Sequence, residues 1–351
     1  MKPNKVLNLF NKELPKRCVR NSPKIISLFS GAGGLDLGFK QAGFRVDFAL
    51  DHSKAAIDTH EFNKLSKNAH CADLLELGIR GVIDLIRKSV PAASSVGLIG
   101  GPPCQGFSRA NRSASSDDPR NRLATLYLEI VAELNAHYDI QFIVFENVLG
   151  IKDRKHEDTF SQVINTFSRV GLNLTQHELS SLDFGVPQIR RRVILIASKE
   201  KIGSNPFITA DKTTTVKDVI WNLPAPSFYR RGLHPESIAF HPNHWTMRPK
   251  SKRFSDSADS WKKTRSFKRL EWNKPSPTIA FGNREIHVHP DGKRRLSIFE
   301  AMRLQGFPDD FVLKGNFSEQ TTQISNAVPP PMAYAIGKQL LNSLKLTKGI
   351  A

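Results

Sequence analysis

Cysteine is scarce in this 351-residue chain: Cys18, Cys71 and Cys104 are widely spaced, with no C-x-x-C pair. That spacing argues against a disulfide framework and against a zinc site. His241 and His244 form an H-x-x-H, but no cysteine or carboxylate cluster accompanies them, so no metal is expected. No run of about 18 apolar residues is present, so nothing is expected to span a membrane. The N-terminus is basic and lacks a signal-peptide apolar core, which predicts a cytoplasmic protein. Acid is also in short supply: 33 Asp and Glu face 51 Lys and Arg, a formal net charge of +18. A charge of that size concerns partners rather than fold, and nucleic acid is the commonest polyanion.

What is present is organised. Residues 1–23 are a basic extension, read either as a tail or as a DNA-contacting or promoter-regulating arm. Residues 24–198 alternate short apolar runs with amphipathic stretches. Strands are predicted at Lys24–Phe29, Arg45–Leu50, Val96–Ile99, Phe142–Phe145 and Val193–Ala197, with helices such as Leu35–Ala42 and Leu123–Ala136 between them. That order predicts an α/β fold: a doubly wound, largely parallel sheet with helices on both faces. After Ser198 the periodicity fades. Between Lys199 and Pro275 there are sixteen Lys and Arg against seven Asp and Glu, a net of +9. All four tryptophans, Trp221, Trp245, Trp261 and Trp272, fall in the same stretch. Basic residues interleaved with aromatics suit phosphate and base contact, although most of the tryptophans are expected to build the segment's own core. Residues 199–320 are therefore read as a smaller irregular domain. Residues 321–351 return to the first domain through a helix over Ala327–Leu344, beside Pro329-Pro330-Pro331.

The run Val96-Gly97-Leu98-Ile99-Gly100 leads directly into Gly101-Pro102-Pro103-Cys104. A buried strand there would deliver one thiol to the carboxyl edge of the sheet, where open α/β sheets place their ligands. A free cysteine is most often an inert core residue. The neighbours of this one argue otherwise.

The first strand ends in Phe29-Ser30-Gly31-Ala32-Gly33-Gly34-Leu35-Asp36, a turn that lets backbone approach a ligand at a helix N-terminus. It departs from the dinucleotide fingerprint, because Asp36 stands at the third glycine position. Asp51 follows the second strand, twenty residues after Gly31, the spacing of a carboxylate that accepts from a ribose. Asp73 follows the next segment and is read either as a cofactor contact or as a helix cap. A ribose acid without the pyrophosphate signature favours S-adenosylmethionine over a nicotinamide cofactor.

Three further motifs lie downstream: Glu146-Asn147-Val148 at a strand end, Gln188-Ile189-Arg190-Arg191-Arg192, and Asn326-Ala327-Val328. Period-two alternation puts Arg190 and Arg192 on one face and Arg191 on the other. With Phe29–Gly34, Pro103–Ser108, Arg295-Leu296-Ser297 and Arg303-Leu304-Gln305-Gly306-Phe307-Pro308, these motifs resemble, in order and over nearly the whole chain, the DNA (cytosine-5)-methyltransferases of the bacterial restriction–modification type.

The resemblance implies a Rossmann-like S-adenosylmethionine-dependent methyltransferase whose variable basic segment recognises the target. It implies that Cys104 is the nucleophile toward carbon 6 of cytosine, that Glu146 holds ring nitrogen 3, and that Arg192 bonds the base carbonyl with Arg190 in support. The cofactor would lie against Phe29, Gly31, Ala32, Gly33, Gly34, Leu35, Asp51, His52, Asp73, Leu74, Pro102, Leu123, Asn326 and Val328. Gln105, Ser108, Arg109, Arg112, Arg120 and Arg122 would belong to a loop that closes over a flipped base in duplex DNA. The implied protein is a monomer, with a restriction endonuclease as a possible independent partner. Two positions depart from the family pattern. Ser325 replaces the usual glycine before Asn326, and His52 replaces a large aromatic after the ribose acid. Two rivals remain: a tRNA cytosine methyltransferase, and an inactive DNA-binding regulator. No cysteine lies beyond Cys104 to supply the Cys-Phe-Thr signature of the RNA branch, and intact Cys104, Glu146 and Arg192 argue against the regulator.

Overall fold

A computed structural model describes residues 22–103, 121–202, 207, 209–250, 254, 268–279 and 287–348. Its centre is a seven-stranded sheet in the order β3-β2-β1-β4-β5-β8-β6. The strands are β1 (Lys24–Leu28), β2 (Arg45–Asp51), β3 (Ser66–Cys71), β4 (Ser95–Gly100), β5 (Asp139–Asn147), β6 (Asn173–Ser180) and β8 (Arg191–Ser198). β3, β2, β1, β4 and β5 run parallel, and β8 runs antiparallel to both of its neighbours. The chain leaves β1 toward β2 and β3, then returns to β4 on the other side of β1. The order therefore reverses between β1 and β4, and the gap at their carboxyl ends is the expected ligand crevice.

Successive residues of the central strands enter opposite cores. Ile25 and Val144 pack with α1 (Gly34–Ala42) and α9 (Pro330–Lys348). Ile26 and Phe145 pack with α3 (Leu74–Ser89), α4 (Asn121–Asn135) and α5 (Glu157–Arg169). Both faces are dry, which is why β1, β4, β5 and β8 read as continuous apolar runs. The flanking strands differ. β3 is SKNAHC and β6 is NLTQHELS, and neither contains a fully buried position. Neither was legible as an apolar run, since a strand with one neighbour carries little of the core.

Several boundaries also move. β5 extends three residues before and two beyond the expected run, so Glu146 and Asn147 lie within the ladder. Gln188 and Ile189 stand apart from β8. They form a separate short strand, β7, paired with β11 (Ser276–Pro277). The terminal helix begins inside the triple proline, at Pro330, rather than at Ala327. Proline suits a first helical turn because its missing N–H has no intrahelical partner there.

Among the described residues beyond β8, regular structure is sparse: α6 (Val216–Ile220), the pair β9 (Ser227–Phe228) and β10 (Trp245–Thr246), and then α7 (Ile298–Leu304) and α8 (Phe317–Asn326). One apolar core joins Val216, Val219, Trp245, Leu296, Phe299 and Phe307 to Ala32, Leu37 and Leu65 of the sheet domain. α2 (Lys54–Phe62) connects β2 to β3 and is capped by Ser53.

Candidate active site

The turn after β1 is bound to the turn after β2 through one carboxylate. Asp51 Oδ2 accepts from Gly31 N at 2.8 Å, and Oδ1 accepts from Ser53 N at 2.9 Å. Asp51 is 7% exposed, so these two bonds fix its position at the sheet edge. His52 beside it is exposed and lies 3.4 Å from Asp51 Oδ1 through Nδ1. Phe29 and Gly31 both have positive φ, 55° and 52°. A left-handed phenylalanine is strained backbone, and such strain clusters at ligand sites. The space above Gly31 is open: a Cβ built there meets nothing within 4 Å. Gly34 is the opposite, with a Cβ reaching 2.1 Å from Val328 O. The Asn326-Ala327-Val328 segment thus lies directly against the turn.

β4 ends in register with β1, Leu28 opposite Gly100, so the Gly101-Pro102-Pro103 turn leaves the same edge as the glycine turn. Glu146, at the end of β5, leans over Gly101. A Cβ on Gly101 would lie 2.8 Å from Glu146 Oε2, so any larger residue would displace the carboxylate. Asn147 Nδ2 donates to Pro102 O at 3.4 Å. Arg192, near the start of β8, brings Nε within 2.8 Å of Glu146 Oε1, with both side chains about one-tenth exposed. The approach is close but off the N–H direction, and Oε1 has no aligned hydrogen bond. A carboxylate at this depth with unfilled acceptor capacity is suited to a ligand.

Arg190 occupies a different place. It is 2% exposed, and its guanidinium donates to Ser325 O at 2.7 Å and Asn326 O at 3.3 Å. Gln188 Nε2 donates to Gln305 Oε1 at 2.9 Å, and Gln305 Nε2 donates to Ile324 O and Ala327 O at 2.6 and 2.8 Å. The glutamine and first arginine of Q-x-R-x-R, with the glutamine of the later R-L-Q-G-F-P motif, form a buried clamp on residues 324–327. Its role was not read from the sequence, because a pattern of polar residues does not reveal which backbone carbonyls they meet.

The remaining sequence candidates divide. Asp73 caps α3, its Oδ1 accepting from Leu75 N at 2.8 Å. Leu74 is 2% exposed and part of the core, as are Ala32, Leu35 and Val328. Pro102 is buried, Leu123 is half-buried near the start of α4, and Arg122 and Asn326 are exposed. His241 stacks on Phe299 with ring centroids 4.1 Å apart. His244 bridges Ser297 Oγ and Pro224 O, so H-x-x-H is packing chemistry here. Trp245 is buried, Trp272 packs against the core, and Trp221 is exposed. Cys18, Cys104, Gln105, Ser108, Arg109, Arg112, Arg120 and Trp261 lie outside the described residues.

Comparison with known proteins completes the assignment. The family described as C-5 cytosine-specific DNA methylase matches residues 23–342. Type II methyltransferase M.MthTI of Methanothermobacter thermautotrophicus is 33% identical over 353 residues, covering 92% of this chain and 98% of its own length. Type II methyltransferase M.FnuDI of Fusobacterium nucleatum is 30% identical over 350 residues, covering 92% and 95%. A crystal structure described as a prophage-encoded DNA modification methyltransferase (E. coli) superposes with a TM-score of 0.73 at 31% identity, over 92% of this chain and all of that one. A methyltransferase from Entamoeba histolytica shares the fold at a TM-score of 0.66 and 15% identity, over 93% of this chain and 99% of that one. With a family match over residues 23–342 and relatives at 30% identity or more along nearly their whole lengths, the chain belongs to the C-5 cytosine-specific DNA methylase family.

Proposed function

We propose that this enzyme transfers a methyl group from S-adenosylmethionine to carbon 5 of a cytosine in a specific duplex sequence, as the modification enzyme of a restriction–modification system. The observation that carries the reading is the Glu146–Arg192 pair beside the turn that leads into Cys104. Carbon 5 of cytosine is a weak nucleophile. Addition of the Cys104 thiolate to carbon 6 makes the ring enamine-like, which activates carbon 5. An ordinary thiol, with a pKa of about 8.5, is only a few per cent ionised at neutral pH, so anion-stabilising surroundings raise the rate. Glu146 holds or protonates ring nitrogen 3, and Arg192 bonds the base carbonyl. Once carbon 5 carries the methyl group, loss of its proton to a base such as water lets the Cys104 sulfur leave by β-elimination.

The residues present fit S-adenosylmethionine. The open face of Gly31, the strained Phe29 and the Asp51 carboxylate form one edge suited to its ribose and backbone-facing groups. When bound there, it supplies an electrophilic methyl on a sulfonium. His52 is the exposed ring at that edge, and Asn326 and Val328 close it from the C-terminal side.

The target base must leave the helix to reach this crevice. The arginine-rich stretch expected to contact the duplex around it, residues 105–120, lies outside the described residues, and Arg122 stands in the first turn of α4. Residues 199–320 are the recognition domain. The substrate is double-stranded DNA and the enzyme acts as a monomer in the cytoplasm, independently of any cognate endonuclease.

The test is covalent trapping. Duplex DNA containing 5-fluorocytosine, incubated with the protein and S-adenosylmethionine, is expected to give an adduct that survives denaturation. Cys104→Ser is expected to give none. Labelling of tRNA in place of duplex DNA, or an adduct with the variant, overturns the reading.

A further inference from the structure

The end of α8 is held by side chains from elsewhere in the fold, an arrangement with no place in the chemistry above. The last carbonyls of a helix have no intrahelical partner. In α8, Gln323 O accepts from Ala327 N, which leaves the carbonyls of residues 324–326 and that of Ala327 beyond them. Gln305 Nε2 donates to Ile324 O and Ala327 O, and Arg190 donates to Ser325 O and Asn326 O. The bend that follows, into α9, lies hard against α1. Val328 O meets Gly34, and one turn on, a Cβ on Gly38 would lie 2.6 Å from Pro330 O. The side chains that cap α8 therefore also seat the first turn of α1, which the glycine turn enters.

Gln305 is held in its turn. Its Oε1 accepts from Gln188 Nε2 at 2.9 Å, and Gln188 Oε1 accepts from Ile279 N at 3.3 Å. Both glutamines and Ile279 are fully buried. Each amide accepts on its oxygen and donates on its nitrogen, so the links run in one direction, from Ile279 to the end of α8. Hydrogen bonds aligned in this way strengthen one another. Ile279 ends a stretch that lies along β7: Ser276 N donates to Pro187 O and Thr278 Oγ1 donates to Ile189 O, each at 2.8 Å. That stretch continues the basic segment, directly after Trp272 and the exposed Lys274.

A buried amide that loses one partner keeps the full desolvation penalty of the group left behind. If residues 276–279 lift from β7, Gln188 Oε1 is stranded, its bond to Gln305 weakens, and the cap on α8 weakens with it. The same holds in reverse. Two ligands face the two ends of this chain of bonds. The cofactor rests on the edge formed by Gly31 and Asp51, beside Gly34, and the duplex rests on the domain that carries residues 276–279. A coupling free energy between two such sites is reciprocal.

We infer that the Gln188–Gln305 amide relay couples the recognition domain to the cofactor turn, so that bound duplex tightens the cofactor and bound cofactor tightens the duplex. Both glutamines are positioning residues: they act through the backbone of residues 324–328 on one side and of Ile279 on the other. The inference rests on the function proposed above.

The test uses the full-length protein, S-adenosylhomocysteine as the cofactor probe, and an oligonucleotide duplex carrying the site that bisulfite sequencing finds methylated in cells expressing the parent. The Kd of S-adenosylhomocysteine is measured by calorimetry without and with saturating duplex. In the parent, duplex is expected to lower that Kd about tenfold, and cofactor to lower the duplex Kd by the same factor. Gln188→Met is expected to bring the factor below about twofold, with the Kd of S-adenosylhomocysteine alone within about threefold of the parent. Thr278→Val removes the hydroxyl tie to Ile189 O without touching either amide, and is expected to cut the factor about threefold with both separate affinities kept. A factor near one in the parent, a parent-sized factor in both variants, or a weaker cofactor Kd with an unchanged factor overturns the relay. If Gln188→Met does not fold, Thr278→Val decides by the same criterion. A parent that methylates no cytosine, or binds no S-adenosylhomocysteine, fails the functional reading instead, and the two failures are distinct.

Discussion

The sheet domain and the segment that follows it use different means to hold their side chains. In residues 24–198 the functional groups are fixed by backbone. Glu146 is paired with Ile194 of β8, Asp51 is held by two amides, and the proline turn follows β4 directly. Among the described residues of 209–297 the named ladders are two residues long, and side chains carry the structure. There His244 bridges Ser297 and Pro224, Trp245 donates to Gln320, and Arg294 pairs with the fully buried Glu300 through two contacts at 2.8 and 2.7 Å. Chemistry that must place atoms to within fractions of an ångström gains from ladders. A surface that must differ between target sequences gains from loops whose side chains can be exchanged.

The comparison predicts where a substitution acts. Glu146→Gln keeps the ladder and the shape, and is expected to lower kcat by about 10²–10⁴-fold, with the melting temperature and duplex binding nearly unchanged. A matching loss of stability would mean that the pair with Arg192 is structural. Arg190→Met removes two donors from the carbonyls of Ser325 and Asn326 inside the clamp, and is expected to cost about 2–4 kcal/mol in urea unfolding. A variant of unchanged stability but lost activity would move Arg190 into the chemistry.

In the side-chain-built region the effects are smaller. Burial against Phe299 lowers the pKa of His241 from the ordinary 6.5 to about 4. Above pH 6.5 both folded and unfolded chains keep it neutral. As pH falls from 6.5 to 4 the unfolded chain takes the proton first, so stability is lost across that window. His241→Gln is expected to flatten part of that loss, read as the urea midpoint at pH 7 against pH 5. Trp221, exposed beside Trp272, is expected to change stability by less than about 1 kcal/mol on replacement by alanine. Any larger effect on duplex binding would assign it to recognition rather than to the core.

Several parts of this architecture were legible in the sequence because burial on both faces writes itself as apolar runs. β1, β2, β4, β5 and β8 all announced themselves that way. β3 and β6 did not, because polar residues suffice at their more exposed positions. That Glu146 and Arg192 serve one site was implied by the family resemblance; their direct contact was not read from the sequence. Nor was the clamp of Gln188, Arg190 and Gln305, since its partners are carbonyls up to 136 residues away.

The sequence by itself determined the layer order, the motif set and hence the family, because periodicity and short-range spacing are written along the chain. Tertiary structure decided which of those polar residues are tools and which are struts. Asp73 caps a helix, and Arg190 is part of a clamp on backbone carbonyls. The reason is physical: the role of a polar group depends on what desolvates it and what lies within three ångströms, and both are set by segments far apart in the chain.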